Sequence, residues 1–274
     1  MLVNGCDAQI RIPLQRFDTR QFCSENGEHV PGKSMTIHGG FCSERDVFHF
    51  DNSIFHISTE EALCMAPPQR IVLESGLQCL EMAGASKDGL AGRKCGVFVG
   101  DCGTDWRPEV VNDCTLLSTP FTQDGLASHK TASRLSHTLG MTGPVTTVDT
   151  ACSSSLVAAG LAMGKLRTAL ALRPQDAMLE QSLQEALVVG INAILSEFFY
   201  VKLSGPMMLS KKGRCFTFDS TGDGYERGEG CGVVYLGTGG FSPDRVAVLV
   251  GSAINQDGRS ATLTAPNGPS QTMC

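Results

Sequence analysis

The chain has 274 residues, 42% of them apolar, which is enough for one large or two small domains with a substantial core and excludes a disordered polypeptide. Its formal charge of -6, with no Lys/Arg run and no aromatic-basic alternation, speaks against a nucleic-acid partner. The mixed opening MLVNGCDAQIRIPLQRFD is not a targeting peptide, and no apolar run approaches the roughly 18 residues of a membrane span. A soluble cytoplasmic protein is expected, with a plastid as the alternative if the natural N-terminus lies further upstream.

In chain order, the first forty or so residues read as loop-rich, punctuated by Pro31-Gly32 and Gly39-Gly40. From Glu60 to Ala83 the spacing of Ile71, Leu73, Leu77 and Leu80 predicts a helical stretch, with Pro67-Pro68 at a helix start and Gly84 ending it. Short β-branched runs predict strands at Cys95 to Gly100, Val145 to Val148, Ala186 to Ile191, Cys231 to Leu236 and Val246 to Val250. Leu126 to Leu139 reads as a helix, and Leu170 to Glu185 as a surface excursion. Continuous apolar runs such as LVVGI, separated by helical patterns, predict an α/β architecture whose mixed, largely parallel sheet is covered by helices. The twelve cysteines are scattered without a close CxxC pair and read as mostly reduced, buried side chains, with Cys95, Cys215 and Cys231 in the core. No spacing suits a metal, and no cofactor is expected.

The stretch PVTTVDTACSSSLVAAG, Pro144 to Gly160, passes from a β-branched run through small residues into a helical pattern with Leu156, Ala159, Met163 and Leu166 on one face. Cys152 then sits where a strand feeds a helix, close to unpaired N–H groups and the positive end of the helix dipole, a setting that favours thiolate. Small neighbours would let a thioester carbonyl approach, with a backbone N–H available to an oxyanion. Residue chemistry alone leaves two readings, a nucleophile and an ordinary buried cysteine. The phrase DGYERGEGCG is not a phosphate loop, and Glu226, Arg227 and Glu229 are expected to form structural ion pairs.

The string VDTACSSSLVA resembles the nucleophile motif of ketosynthases, particularly those of polyketide synthases. So do FHFDNSIFHISTEEALCMAPPQRIVLE, ending on Gln69 and Arg70, then CGVFVGDCGTDW, LSKKGRCFTFDSTGDGYERGEGCGVV and LTAPNGPSQ, in the family's order from about Phe48 to Gln271. The resemblance implies a thiolase-like fold, of which residues 1–274 would be the N-terminal half. It also implies 3-oxoacyl-[acyl carrier protein] synthase-type acyltransfer in polyketide or fatty-acid biosynthesis. Cys152 would accept an acyl chain from a carrier-protein phosphopantetheine thioester, and a malonyl-type extender would then condense with it by decarboxylation. The implied partners are that acyl carrier protein and a second copy in a homodimer.

Some residues depart from the family pattern. His29, His38, His49, His56, His129 and His137 all precede Cys152, and none lies in the HGTGT-like or N-x-G-H-like phrases that supply the family's catalytic histidines. The opening apolar strand and ACRFPG-like phrase are also missing. We therefore expect a domain truncated at both ends relative to the family, with an exposed apolar face. The alternative function is a non-catalytic ketosynthase-like partner subunit or a gene fragment. Ala66, Pro68, Ser133 and Lys211-Lys212 also differ from the usual residues, which points to altered helix caps or contacts.

Overall fold

A computed structural model describes residues 4–103, 105–106, 119–171, 183–239, 245–262 and 265–274. Near the N-terminus β1 (Gln9–Arg11) and β2 (His38–Gly40) form a small antiparallel ladder. The main sheet has four strands in the order β4-β3-β5-β6, with β3 at Cys95–Asp101, β4 at Val145–Val148, β5 at Glu185–Asn192 and β6 at Gly230–Gly237. The β3–β4 and β3–β5 pairs are parallel and the β5–β6 pair is antiparallel.

Covering both faces of this sheet requires apolar residues along its central strand, and β3 is buried along its whole length. Cys95, Val97 and Val99 point to one layer with Leu187, Val189 and Ile191 of β5. Phe98, with Ala186 and Val188, points to the other. The first layer is helix α1 (Pro67–Met82), through Val72, Leu73, Leu77 and Leu80, together with α2 (Thr131–Thr138), through Ala132 and Leu135. The second layer is the long helix α3 (Ser154–Ala171), through Ala158, Ala162 and Leu166. Each of the larger aliphatic side chains contributes about 1.5–3 kcal/mol by full burial.

The first four strand predictions hold to within a residue at each end, and the remaining differences have identifiable causes. The stretch from Glu60 to Ala83 is broken into a short helix, Thr59–Cys64, and α1. Ala66 precedes Pro67, and the proline ring pushes it to an extended ψ of 141°, so the helix cannot run through; no side chain caps α1 at Ala66. Gly84 closes the segment at φ 86°. Leu126 to Leu139 is likewise divided, at Ala127 with ψ 110°. There Gln69 Nε2 donates to the carbonyls of Asp124 and Ala127, so contacts from α1 replace helical bonds.

Val246 to Val250 is not a strand. Val246 and Val250 are 100% and 77% exposed, and the segment runs along α3, held where Arg167 Nη2 donates to the Val250 carbonyl at 2.7 Å. At the start of α3, Leu156 is 75% exposed. With Val234 of β6 at 56% exposure, it leaves the α3 side of the sheet edge open. Of the expected surface excursion from Leu170 to Glu185, the two ends belong to α3 and β5, and residues 172–182 lie outside the described residues.

Candidate active site

The turn between β4 and α3 presents Cys152. Thr150 precedes a single 3-10 turn, Ala151–Ser153, which leads directly into α3 at Ser154. Ala151 takes φ 56°, in the left-handed region that L-residues avoid, so the chain reverses sharply one residue before the cysteine. Local bonds hold the reversal. Asp149 Oδ1 accepts from the Ala151 N–H at 3.0 Å. Ser154 Oγ accepts from the Thr150 N–H at 2.8 Å and donates to the Ala151 carbonyl at 2.6 Å. Ser153 Oγ donates to the Thr150 carbonyl at 2.9 Å.

The first turn of α3 is pressed onto the sheet at two glycines. A Cβ on Gly100 would lie 2.5 Å from Ser155 N and 2.6 Å from Ser154 C, and one on Gly190 would lie 2.8 Å from Ser155 Cβ. Only glycine at the end of β3 and within β5 lets the helix approach so closely. Cys152 is therefore exposed above the C-terminal ends of the parallel strands, two residues before the electropositive end of a long helix. It faces a wide cleft whose walls include Leu156, Met163, Val188 and Leu236.

Two further groups flank the turn. Asp101, 4% exposed at the end of β3, accepts from Thr131 Oγ1 at 2.7 Å and from the Gly103 N–H. Burial holds its carboxyl above the usual carboxylate range. Cys102 lines the same cleft, and its Sγ donates to the Ala151 carbonyl at 2.9 Å and lies 3.3 Å from Ser154 Oγ.

This arrangement is a strand-to-helix elbow that displays a thiol. In that respect it agrees with the placement expected of Cys152. Chemistry that needs an exposed sulfur nucleophile fits it.

Comparisons with known proteins give the family. Residues 1–240 match the family described as beta-ketoacyl synthase, N-terminal domain. The chain belongs to that family. Its relatives are ketosynthases of the polyketide-synthase type, and it shares their thiolase-like α/β fold. It is 38% identical, over 99% of its length, to a phenolphthiocerol/phthiocerol polyketide synthase polypeptide of Mycobacterium tuberculosis, and covers 12% of that protein. It is similar to the ketosynthase from module 6 of the bacillaene synthase of Bacillus subtilis, with TM-score 0.76 and 29% identity, covering 99% of this chain and 43% of that one. A ketosynthase domain for oxazolomycin from Streptomyces albus gives TM-score 0.71 at 31% identity, covering 85% of this chain and 37% of that one. The chain thus spans less than half of each of these relatives.

The other sequence candidates are structural. Gln69 and Arg70 are buried, and Arg70 Nε donates to the Met65 carbonyl at 2.9 Å. His129 and His137 are exposed on the opposite helical layer. Glu229 forms a buried ion pair with Arg16 at 3.0 Å, both side chains being 1% exposed. Glu226 has no ion pair among the described residues and instead accepts from Thr36 Oγ1. Cys95 is buried, and its thiol is pushed up to about 11 by desolvation; Cys231 is only half-buried, and Cys215 is exposed in an irregular segment outside any strand.

Sequence reasoning misses the roles of Gly100, Gly190, Ser154, Asp149 and Cys102. A signal does exist for the two glycines, because glycine inside a buried strand marks a close backbone approach. No group of three or more His, Cys, Asp or Glu suited to a metal occurs among the described residues. No helix of the described residues is long and apolar enough to cross a membrane.

Proposed function

We propose that Cys152 is the acyl acceptor of this ketosynthase. The observation that carries the reading is its exposed thiol at the β4–α3 elbow, with the N-terminus of α3 behind it. The Cys152 thiolate attacks the carbonyl of an acyl thioester carried on phosphopantetheine. The tetrahedral oxyanion then collapses, the carrier thiol takes a proton and leaves, and the acyl group remains on sulfur. The field of the helix end favours the developing oxyanion. A malonyl-type extender subsequently loses carbon dioxide, and its carbanion attacks the acyl-cysteine to give a 3-oxoacyl thioester.

That second stage needs positioned donors and proton chemistry. The six histidines all lie before Cys152 in the sequence, and His129 and His137 are exposed on the opposite helical layer. We assign that stage to the complete ketosynthase, acting as a homodimer. Residues 1–274 are read as the N-terminal ketosynthase domain, short at both ends relative to the family pattern, and the proposed partner is an acyl carrier protein.

The test is incubation with an acyl N-acetylcysteamine thioester, read by intact mass and peptide mapping, with Cys152→Ala as control. A single acyl adduct mapping to Cys152 supports the reading. Labelling spread over other exposed cysteines, or none on a folded chain, defeats it.

A further inference from the structure

Two thiols share the elbow, and acyl transfer uses only one of them. Cys102 follows the last residue of β3 and stands over the peptide that joins Ala151 to Cys152, with its Sγ 2.9 Å from the Ala151 carbonyl oxygen. That carbonyl is attached directly to the Cys152 nitrogen. Standard covalent geometry then keeps the two sulfurs within about 9 Å of each other at most, before either side chain rotates. Both residues line the same open cleft, so the sulfurs face common solvent and not opposite sides of a wall. The Cys102 sulfur also lies 3.3 Å from Ser154 Oγ, the side chain that opens α3.

We propose that Cys102 is a resolving thiol for Cys152, the pair forming a reversible disulfide that protects the nucleophile under peroxide stress. The proposal rests on the reading of Cys152 as a reactive thiol. A hydroperoxide is the oxidant. The Cys152 thiolate attacks the peroxide, the O–O bond breaks, water or an alcohol leaves after taking a proton, and Cys152 becomes a sulfenic acid. The Cys102 sulfur then attacks the sulfenic sulfur, the S–O bond breaks, and a second water leaves. Overall the two thiols lose two protons and two electrons, which reduce the peroxide.

The division of roles follows from the surroundings. Packing around its sulfur holds the Cys102 thiol above the ordinary value, with a smaller push from Asp149 and Asp101. Its sulfur is also engaged as a donor to the Ala151 carbonyl, so Cys102 acts second. Pairing the sulfurs requires side-chain rotation and a small shift of the loop after β3, and does not require unfolding of the sheet.

Hydrogen peroxide titration of the full chain tests this, followed by alkylation of remaining thiols and non-reducing peptide mapping. The expected product has lost two hydrogens and contains a peptide that crosslinks Cys102 to Cys152. Acyl labelling of Cys152 is lost with its formation and returns after reductant. In Cys102→Ser the product should stop at the Cys152 sulfenic acid, which dimedone traps, and further peroxide should render the loss irreversible. Dimedone trapping on Cys152 in the unsubstituted chain, without the crosslink, overturns the pairing while leaving the nucleophile reading intact. A crosslink to Cys6, Cys215 or Cys274 also overturns it. Failure of Cys152 to react with both peroxide and acyl thioester removes the nucleophile reading itself.

Discussion

Substituting alanine at Gly100 should damage both the stability and the chemistry of the elbow. The added Cβ would meet Ser155 N at 2.5 Å, Ser154 C at 2.6 Å and Ser155 Cα at 2.8 Å. All three are backbone atoms in the first turn of α3, so no flexible side chain can give way. Ordinary contact starts near 3.4 Å, and relief requires the helix start to retreat by about 0.5–1 Å. Overpacking of this kind costs about 1–3 kcal/mol, and rigid backbone neighbours place Gly100→Ala at the upper end. The control is Gly164→Ala in the same helix, where an added Cβ meets nothing within 4 Å. It should gain about 0.5–1 kcal/mol, because alanine loses less backbone freedom in a helix. Urea midpoints at constant slope measure the difference, and acyl labelling of Cys152 measures the displacement. A misplacement near 1 Å can slow a positioned reaction by about 10²-fold. If the two variants share one midpoint, or Gly100→Ala is acylated at the unsubstituted rate, the close-approach account of the elbow is wrong.

Ser154→Ala removes the acceptor of the Thr150 N–H and a donor to the Ala151 carbonyl, and should cost about 1–3 kcal/mol by urea titration while slowing acylation. Glu229→Gln leaves Arg16, whose Nε and Nη1 have no hydrogen-bond partner among the described residues, buried without its counter-ion, and should cost about 3–5 kcal/mol by the same measurement. Glu226 is 7% exposed and burial pushes its carboxyl up from 4.5 to about 7, so the folded state holds a proton that the unfolded state has released. Stability should therefore fall as pH rises from about 4.5 to about 7 and level off above that, by roughly 3 kcal/mol at most. Glu226→Gln should remove that part of the slope; an unchanged pH dependence of the unfolding midpoint would refute the buried-carboxyl account.

Strand runs are legible in the sequence where the chain itself supplies neighbours on both sides. LVVGI is a strand because β3 and β6 flank it, and its alternate residues Leu187 and Val188 enter different cores. Val246 to Val250 has similar composition and forms no strand, since it joins no sheet edge among the described residues and its Val250 carbonyl accepts from the Arg167 side chain. Apolar β-branched sequence is permissive, and the partner decides. Helix breaks are harder to read. The division at Ala66 follows from Pro67 and is local, whereas the division at Ala127 depends on Gln69, 58 residues earlier. The site shows the same pattern. The strand-to-helix passage around Cys152 is readable from the change in residue type. The left-handed turn at Ala151 is not, because alanine carries no preference for it. The fit of Gly100 beneath Ser155 is equally non-local.

The elbow satisfies its own backbone without using the cysteine side chain. Asp149 takes the Ala151 N–H, Ser154 takes the Thr150 N–H and serves the Ala151 carbonyl, and Ser153 serves the Thr150 carbonyl. Cys152 is exposed, and among the described residues its thiol enters no hydrogen bond. A cysteine kept for packing would behave differently, as Cys95 does, buried in the same core as Leu187. Stability and reactivity should therefore separate at the two positions. Cys152→Ala should change the urea midpoint by no more than about 0.5 kcal/mol, as expected of an exposed side chain with no partner, yet abolish acyl labelling. Cys95→Ala should cost more stability, through a lost contact in a close-packed core, and leave the identity of the labelled residue unchanged. If Cys152→Ala proved the more destabilising of the two, the thiol would be part of the fold, and the acyl-acceptor role would lose its structural basis.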